Sequence, residues 1–222
     1  MINDIQIIQE KVQKTPYLFF DLDGVLIDTE KLYFRFWKEA SKYYGYELKD
    51  EEALCFRSLE VESGRLLMKQ FSNGLLDYDI VKEKRIALMN DYFLNHPIEV
   101  KDSAFSLLNS LKTNNHRIII VTANAIDKAV SILKETGLDK YVDEVISAKD
   151  VKRGKPYPDV YEYALKKLSI TPSEVIVFED SPNGLKAAHG AHCFTIMVKD
   201  LTPYEKGMTY VDAYIENLKS LL

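Results

Sequence analysis

The feature that most constrains this chain is Phe19-Phe20-Asp21-Leu22-Asp23-Gly24-Val25-Leu26-Ile27-Asp28-Thr29, where an apolar run ends abruptly in two acids one residue apart. Such a run reads as a strand that delivers carboxylates to its own C-terminal end. Open parallel α/β sheets bind ligands beside the carboxyl ends of their strands, so Asp21 and Asp23 stand where chemistry is expected. Gly24 then lets the chain turn sharply. Asp-Gly after a strand is also an ordinary turn signal, and from these residues alone the turn and the reactive pair are both open.

Beyond Asp102 the chain alternates helices with short apolar strands, the pattern of βαβ units and a parallel sheet. Tyr17 to Phe20, Arg117 to Val121, Glu144 to Ile146, Glu174 to Phe178 and Cys193 to Val198 make an expected five-strand sheet, with helices near 125–136, 157–168 and 182–190. From Lys31 to about Asn95 there is no strand pattern. Apolar and aromatic residues there recur at helical spacing in segments broken by Gly45, Asn73-Gly74 and Asp77. The aromatic stripe Tyr33, Phe34, Trp37, Tyr43 and Tyr44 is expected to pack rather than bind a cofactor, and His96-Pro97-Ile98-Glu99-Val100 to form the return linker. Ile2, Ile5, Ile8 and Val12 fall near one face of a short amphipathic helix ahead of the first strand. The expected architecture is α/β: a Rossmann-like parallel sheet core of residues 1–29 and 98–222 with an inserted α-helical cap of residues 30–97.

Three later segments carry polar residues at the expected strand ends. Ile118-Ile119-Ile120-Val121-Thr122-Ala123-Asn124 ends in a hydroxyl and a helix start, which suits either a phosphate or a helix cap. Lys152-Arg153-Gly154-Lys155-Pro156-Tyr157-Pro158-Asp159 is a basic loop that lacks the upstream glycine of a nucleotide P-loop. Val175-Ile176-Val177-Phe178-Glu179-Asp180-Ser181-Pro182-Asn183-Gly184 runs into two acids, either of chemical use or, through Asp180 or Ser181, a cap for the helix that Pro182 would begin.

Asp21-Leu22-Asp23-Gly24-Val25-Leu26-Ile27-Asp28-Thr29-Glu30 resembles the first motif of the haloacid dehalogenase (HAD) superfamily, and within it the β-phosphoglucomutase-like phosphatases with a helical cap. The three later segments resemble its second, third and fourth motifs, in the right order. The resemblance runs from Tyr17 to about Leu201 and is loose in the cap and over the last twenty residues. It implies that Asp21 is the nucleophile of an aspartyl-phosphate intermediate and that Asp23 acts as acid and then as base. It implies that the Thr122 hydroxyl and the Ala123 backbone N–H donate to the phosphoryl oxygens, that Asn124 helps orient the substrate, and that Lys155 balances the carboxylates. It also implies a Mg²⁺ cofactor on Asp21, Asp180, Glu179 and the backbone carbonyl of Asp23, a hard oxygen site of the kind Mg²⁺ takes.

Dehalogenases and phosphonate hydrolases of the superfamily have no acid at the second position, so Asp23 points to phosphate esters. Tyr33 stands where the mutase has a cap-hinge histidine, and Glu62, counted without gaps, where it has a cap arginine. The expected activity is therefore a phosphatase for a small phosphorylated metabolite of the sugar or polyol phosphate class. The alternatives are a sugar phosphate mutase on the same core and a non-catalytic binding module on the same fold. Arg57, Arg65 and Arg85 are candidate contacts for a second anionic group, although each also reads as a helix-surface cation.

Composition closes off other classes. A net charge of −5, with no basic stripe interleaved with aromatics, gives no expectation of nucleic-acid binding. No run approaches a membrane-spanning length, and the first sixteen residues lack the basic and apolar regions of a signal peptide. Cys55 and Cys193 lie too far apart in sequence for a disulfide framework or metal cluster, so a reducing cytoplasm is expected, with the chain a monomer or weak homodimer.

Overall fold

The computed structural model describes residues 2–202 and 208–222; Met1 of the N-terminal segment lies outside them. Six strands form one sheet in the order β3-β2-β1-β4-β5-β6: β1 Tyr17–Phe20, β2 Arg117–Thr122, β3 Glu144–Ser147, β4 Val175–Glu179, β5 Phe194–Val198 and β6 Ala213–Ile215. Every adjacent pair is parallel. The expectation of five strands is corrected by β6, three residues that pair with β5 through Ile196↔Ala213 and its neighbours. A strand so short has no periodicity to read; its place on the sheet edge comes from its pairing partner.

Helices α1 Ile5–Lys14, α6 Ala104–Thr113, α7 Ile126–Thr136, α8 Asp159–Leu168 and α9 Pro182–Gly190 cover the two faces of the sheet. Successive strand residues point to opposite faces. Leu18 and Phe20 therefore join Ile118, Ile120, Ile176 and Phe178 in the core beneath α1, α6 and α7, while Phe19 joins Ile119, Val121 and Val177 in the core beneath α8 and α9. The rings of Phe20 and Phe178 stack at 4.4 Å across β1 and β4. In α1 only Ile8 and Val12 are buried; Ile2 lies outside the helix and forms a bridge to Ala213 instead, which corrects its expected place on the helical face.

Between β1 and α6 the chain runs through α2 Glu30–Tyr43, α3 Asp50–Leu54, α4 Val61–Phe71 and α5 Tyr78–Phe93. These helices build their own apolar cluster around Trp37, Phe56, Met68 and Tyr78. Asp77 caps α5 by accepting from the backbone N–H groups of Asp79 and Ile80, satisfying donors that the first turn leaves unpaired. Trp37 packs as expected, but Tyr43 is 67% exposed and Tyr44 is also exposed, both at the frayed end of α2. The outgoing and return segments run side by side: the Asp28 N–H donates to the Glu99 carbonyl, the Lys101 N–H donates to the Leu26 carbonyl, and Ile27 bridges Val100. The inserted helices thus join the sheet through two adjacent antiparallel segments, beyond the C-terminal end of β1.

Candidate active site

The C-terminal ends of β1, β2 and β4 lie side by side because their pairings hold Phe20 level with Ile120 and Phe178. Asp21 extends this register, its N–H donating to the Phe178 carbonyl at 3.0 Å. Asp21, Glu179 and Asp180 are all buried, and each offers a carboxylate oxygen within 4.8 Å of the others. At Gly24 (φ +81°) the chain takes a left-handed turn, and a Cβ there would run into the Asp180 carboxylate. The strand-end turn and the acid cluster are one object: glycine permits the close approach.

Lys155 reaches this cluster from the loop before α8, fully buried at 1% exposure. Its ammonium donates to Asp21 Oδ1 at 2.7 Å, to Glu179 Oε1 at 2.5 Å and to the Val121 carbonyl at 3.1 Å. Burial disfavours the lysine charge, but Asp21 and Glu179 outweigh it and hold the group above the ordinary lysine value. Burial likewise pushes the Asp21 carboxyl well above the usual range, against the pull of Lys155. The Tyr161 hydroxyl donates to the same Glu179 oxygen at 2.6 Å.

Asp23 sits two residues beyond Asp21 with both oxygens engaged: the Thr29 hydroxyl donates to Oδ1 at 2.5 Å and the Asn124 amide to Oδ2 at 2.6 Å. A hydroxyl both donates and accepts, so Thr29 can hold Asp23 either ionised or protonated. Thr122 ends β2, fully buried, with its hydroxyl accepting from the Asn124 N–H at 3.1 Å. Ala123 and Asn124 line the cavity beside it. The cap of α9 is Ser181, whose side chain accepts from the Gly184 N–H, with Pro182 at the first position; this leaves Asp180 free for the cluster.

The arrangement fits a divalent cation. Among the described residues, Asp21 and Glu179 pair with Lys155 and Asp180 pairs with Arg57, while the fourth carboxylate, Asp23, forms no ion pair. Glu179 Oε2 and Asp180 Oδ1 are buried without a hydrogen-bond partner. Buried anionic oxygens left bare are costly, and hard oxygen donors converging on one point are the donor set of Mg²⁺. Gly184 backs the site: a Cβ there would overlap the Glu179 carboxylate, which Lys155 and Tyr161 hold in place. Gly184→Ala is therefore expected to destabilise the fold by about 1–3 kcal/mol in urea denaturation, although alanine is the better helix former.

Above these groups a cavity of about 420 Å³ opens between the sheet end and the inserted helices, within the usual range for a small-molecule site. Asp21, Asp23, Ala123, Asn124 and Arg57 line it. Arg57 lies in the loop between α3 and α4 rather than on a helix surface, and its guanidinium is taken up by carboxylates: Glu30 at 2.7 Å, Asp200 at 3.1 Å, and Asp180. Arg65 is not brought to the cavity. It pairs with Glu62 and Asp79 on the exposed side of α4, a position that helical spacing alone could not separate from the lining face. Arg85 differs from its surface reading as well: it is buried and lines the cavity. Thr29, Glu30 and Tyr161 carried no assigned role in the sequence. Thr29 and Glu30 stand inside the first motif, whereas nothing in the sequence around Tyr161 marks its contact with Glu179.

A doubly wound parallel sheet with carboxylates, a buried lysine and an inserted helical unit at its C-terminal edge places the site where open α/β sheets bind their ligands, at the strand ends. The chain belongs to the haloacid dehalogenase-like hydrolase family, which it matches over residues 18–198. It is 28% identical over 177 residues to a phosphorylated carbohydrates phosphatase of Thermotoga maritima, covering 78% of this chain and 80% of that protein. It is 31% identical over 179 residues to a validoxylamine A 7'-phosphate phosphatase of Streptomyces hygroscopicus subsp. limoneus, covering 80% and 82%. Among solved structures, a β-phosphoglucomutase from Clostridium difficile shares the fold with a TM-score of 0.75 at 21% identity, covering 94% of this chain and 93% of that one. No helix among the described residues is long and apolar enough to cross a membrane.

Proposed function

We propose that the protein is a Mg²⁺-dependent phosphatase that hydrolyses a small phosphorylated metabolite of the sugar or polyol phosphate class through an aspartyl-phosphate on Asp21. The observation that carries this reading is the Asp21 carboxylate, held by a buried lysine and opening into a cavity beside a second acid, Asp23. Two similar proteins, the carbohydrate phosphate and validoxylamine phosphate phosphatases, act on phosphorylated carbohydrate-like compounds by their names. Residues 1–29 and 98–222 form the core in this reading, and residues 30–97 form the cap that covers the site. The enzyme works in the cytoplasm as a monomer or weak homodimer.

An Asp21 oxygen attacks phosphorus while the bond to the alcohol oxygen breaks, and Asp23 gives its proton to the leaving alkoxide. Water then attacks the phosphoryl group, Asp23 takes its proton, and Asp21 is released with inorganic phosphate. Asn124 and Thr29 keep the Asp23 carboxyl aimed through both steps. Lys155, the Thr122 hydroxyl and the Ala123 N–H face the charge that develops on the phosphoryl oxygens. Asp21, Glu179, Asp180 and the backbone carbonyl of Asp23 would hold Mg²⁺, which when bound supplies positive charge against the phosphoryl oxygens.

Incubation with sugar and polyol phosphates is expected to release inorganic phosphate with Mg²⁺ present and none after chelation. A binding module would release none in either case. With β-glucose 1-phosphate and its bisphosphate primer, free phosphate is expected to form faster than glucose 6-phosphate; the reverse order would make the protein a mutase.

A further inference from the structure

The reacting end of the cavity already has its counter-charge in Lys155, yet four more cations line the same space: Lys82 and Arg85 from α5, Lys128 from α7, and Lys149 from the loop after β3. Among the described residues none of the four forms an ion pair with a carboxylate, whereas Arg57 beside them is fully engaged. Arg85 is the most telling. Only 7% exposed, it lies over the rings of Tyr33 and Trp37 at 4.8 and 5.0 Å, with one terminal nitrogen 3.1 Å from the Met89 sulfur. Its Nε has no hydrogen-bond partner at all. A buried guanidinium with a bare Nε–H is a costly arrangement that proteins ordinarily relieve with a carboxylate, and among the described residues no carboxylate is supplied. Burial, together with Lys149 and Arg85 nearby, also holds the Lys82 amine below its ordinary value.

An uncompensated cationic wall on a ligand cavity is relieved when the ligand brings the missing anion, and a guanidinium matches the two oxygens of a carboxylate or phosphate. We propose that this site recognises a second anionic group, a phosphate or a carboxylate, on the alcohol part of its substrate, with Arg85 as the principal contact and Lys82 and Lys128 in support. The inference rests on the phosphatase reading and narrows it: the preferred ester carries a second anionic group, and a polyol phosphate without one is the poorer substrate. Asn90 and Asn124, which line the same cavity, suit the hydroxyls between the two anions. Because the second anion lies away from the bond that breaks, Arg85, Lys82 and Lys128 set specificity and take no part in the chemistry.

The test compares matched esters with Mg²⁺ present: fructose 1,6-bisphosphate against fructose 1-phosphate for a second phosphate, and 3-phosphoglycerate against glycerol 3-phosphate for a carboxylate. In at least one pair kcat/KM is expected to be about tenfold or more higher for the doubly anionic member, and the pair that shows it identifies the anion. Arg85→Met is expected to bring that ratio close to one, chiefly through KM. Lys82→Gln and Lys128→Gln, at less buried positions that tolerate change, should each lower it about threefold to tenfold, which guards against a folding defect in the arginine variant. Esters lacking the second anionic group turned over as fast as their partners that carry it would overturn the inference and leave the phosphatase reading standing. So would ratios unchanged in all three variants. No phosphate release from any ester would overturn both.

Discussion

Asp21→Asn is expected to abolish turnover of phosphate esters, by at least about 10⁴-fold in kcat, while leaving the fold nearly as stable as before. The amide keeps the shape of the carboxylate and can still present an oxygen to Lys155, now 2.7 Å away, but it cannot attack phosphorus. The fold tolerates it because burial already disfavours the Asp21 charge, so a neutral group removes a desolvation cost along with an ion pair. Asp23→Asn is the matched comparison. An acid–base group contributes about 10²–10⁴-fold, so its loss should leave measurable residual activity, most visibly with esters whose alcohol is a good leaving group. Phosphate release and thermal melts on the two variants check both statements. Full turnover by Asp21→Asn would end the aspartyl mechanism.

The groups around Asp21 differ in how far the sequence exposes them, and the difference is physical. Phe19-Phe20 running into Asp21-Leu22-Asp23 and Val177-Phe178 running into Glu179-Asp180 are legible because strand and acids are contiguous, and a parallel register brings such ends together. Lys155 could be assigned only by resemblance, since its contacts lie 134 and 24 residues away. Arg57 and Arg65 look alike in sequence, eight positions apart in the same helical region. One turns inward in a loop to meet Glu30 and Asp180, and the other stays on a helix surface with Glu62. The choice depends on how α3, α4 and α5 pack, which no local pattern encodes. Arg85 shows the same limit: its neighbours in α5 mix exposed and buried residues without a clear apolar stripe, so its burial follows from Tyr33 and Trp37 on α2. Strand β6 was illegible for want of length.

Lys155→Met carries the other large expected effect, this time on stability as well as activity. The methionine fills much of the same volume but removes the donor from Asp21, Glu179 and the Val121 carbonyl at once, in a place that is 1% exposed. Breaking a buried ion pair from one side costs about 3–5 kcal/mol, a fall in melting temperature of about 6–20 °C for a chain of this size. Asp21 then faces Glu179 without a cation, and the neighbouring carboxylate raises its affinity for a proton further. A carboxyl with a pKa raised in the folded state favours folding at low pH and opposes it as pH rises, because the folded form binds more protons than the unfolded one. The deficit relative to the unmodified protein should therefore be largest above neutrality and shrink toward pH 5. Mg²⁺ offers the same oxygens a replacement charge without the repulsion of a nearby ammonium, so it should raise the melting temperature of Lys155→Met by more than that of the parent chain. Turnover should still fall about 10²–10³-fold or more with the metal bound, since the donor facing the phosphoryl oxygens is gone. Equal melting temperatures for the two proteins at pH 8 would mean that Lys155 is not the counter-charge of the acid cluster, and the Mg²⁺ response would then have to be traced to Glu179 and Asp180 alone.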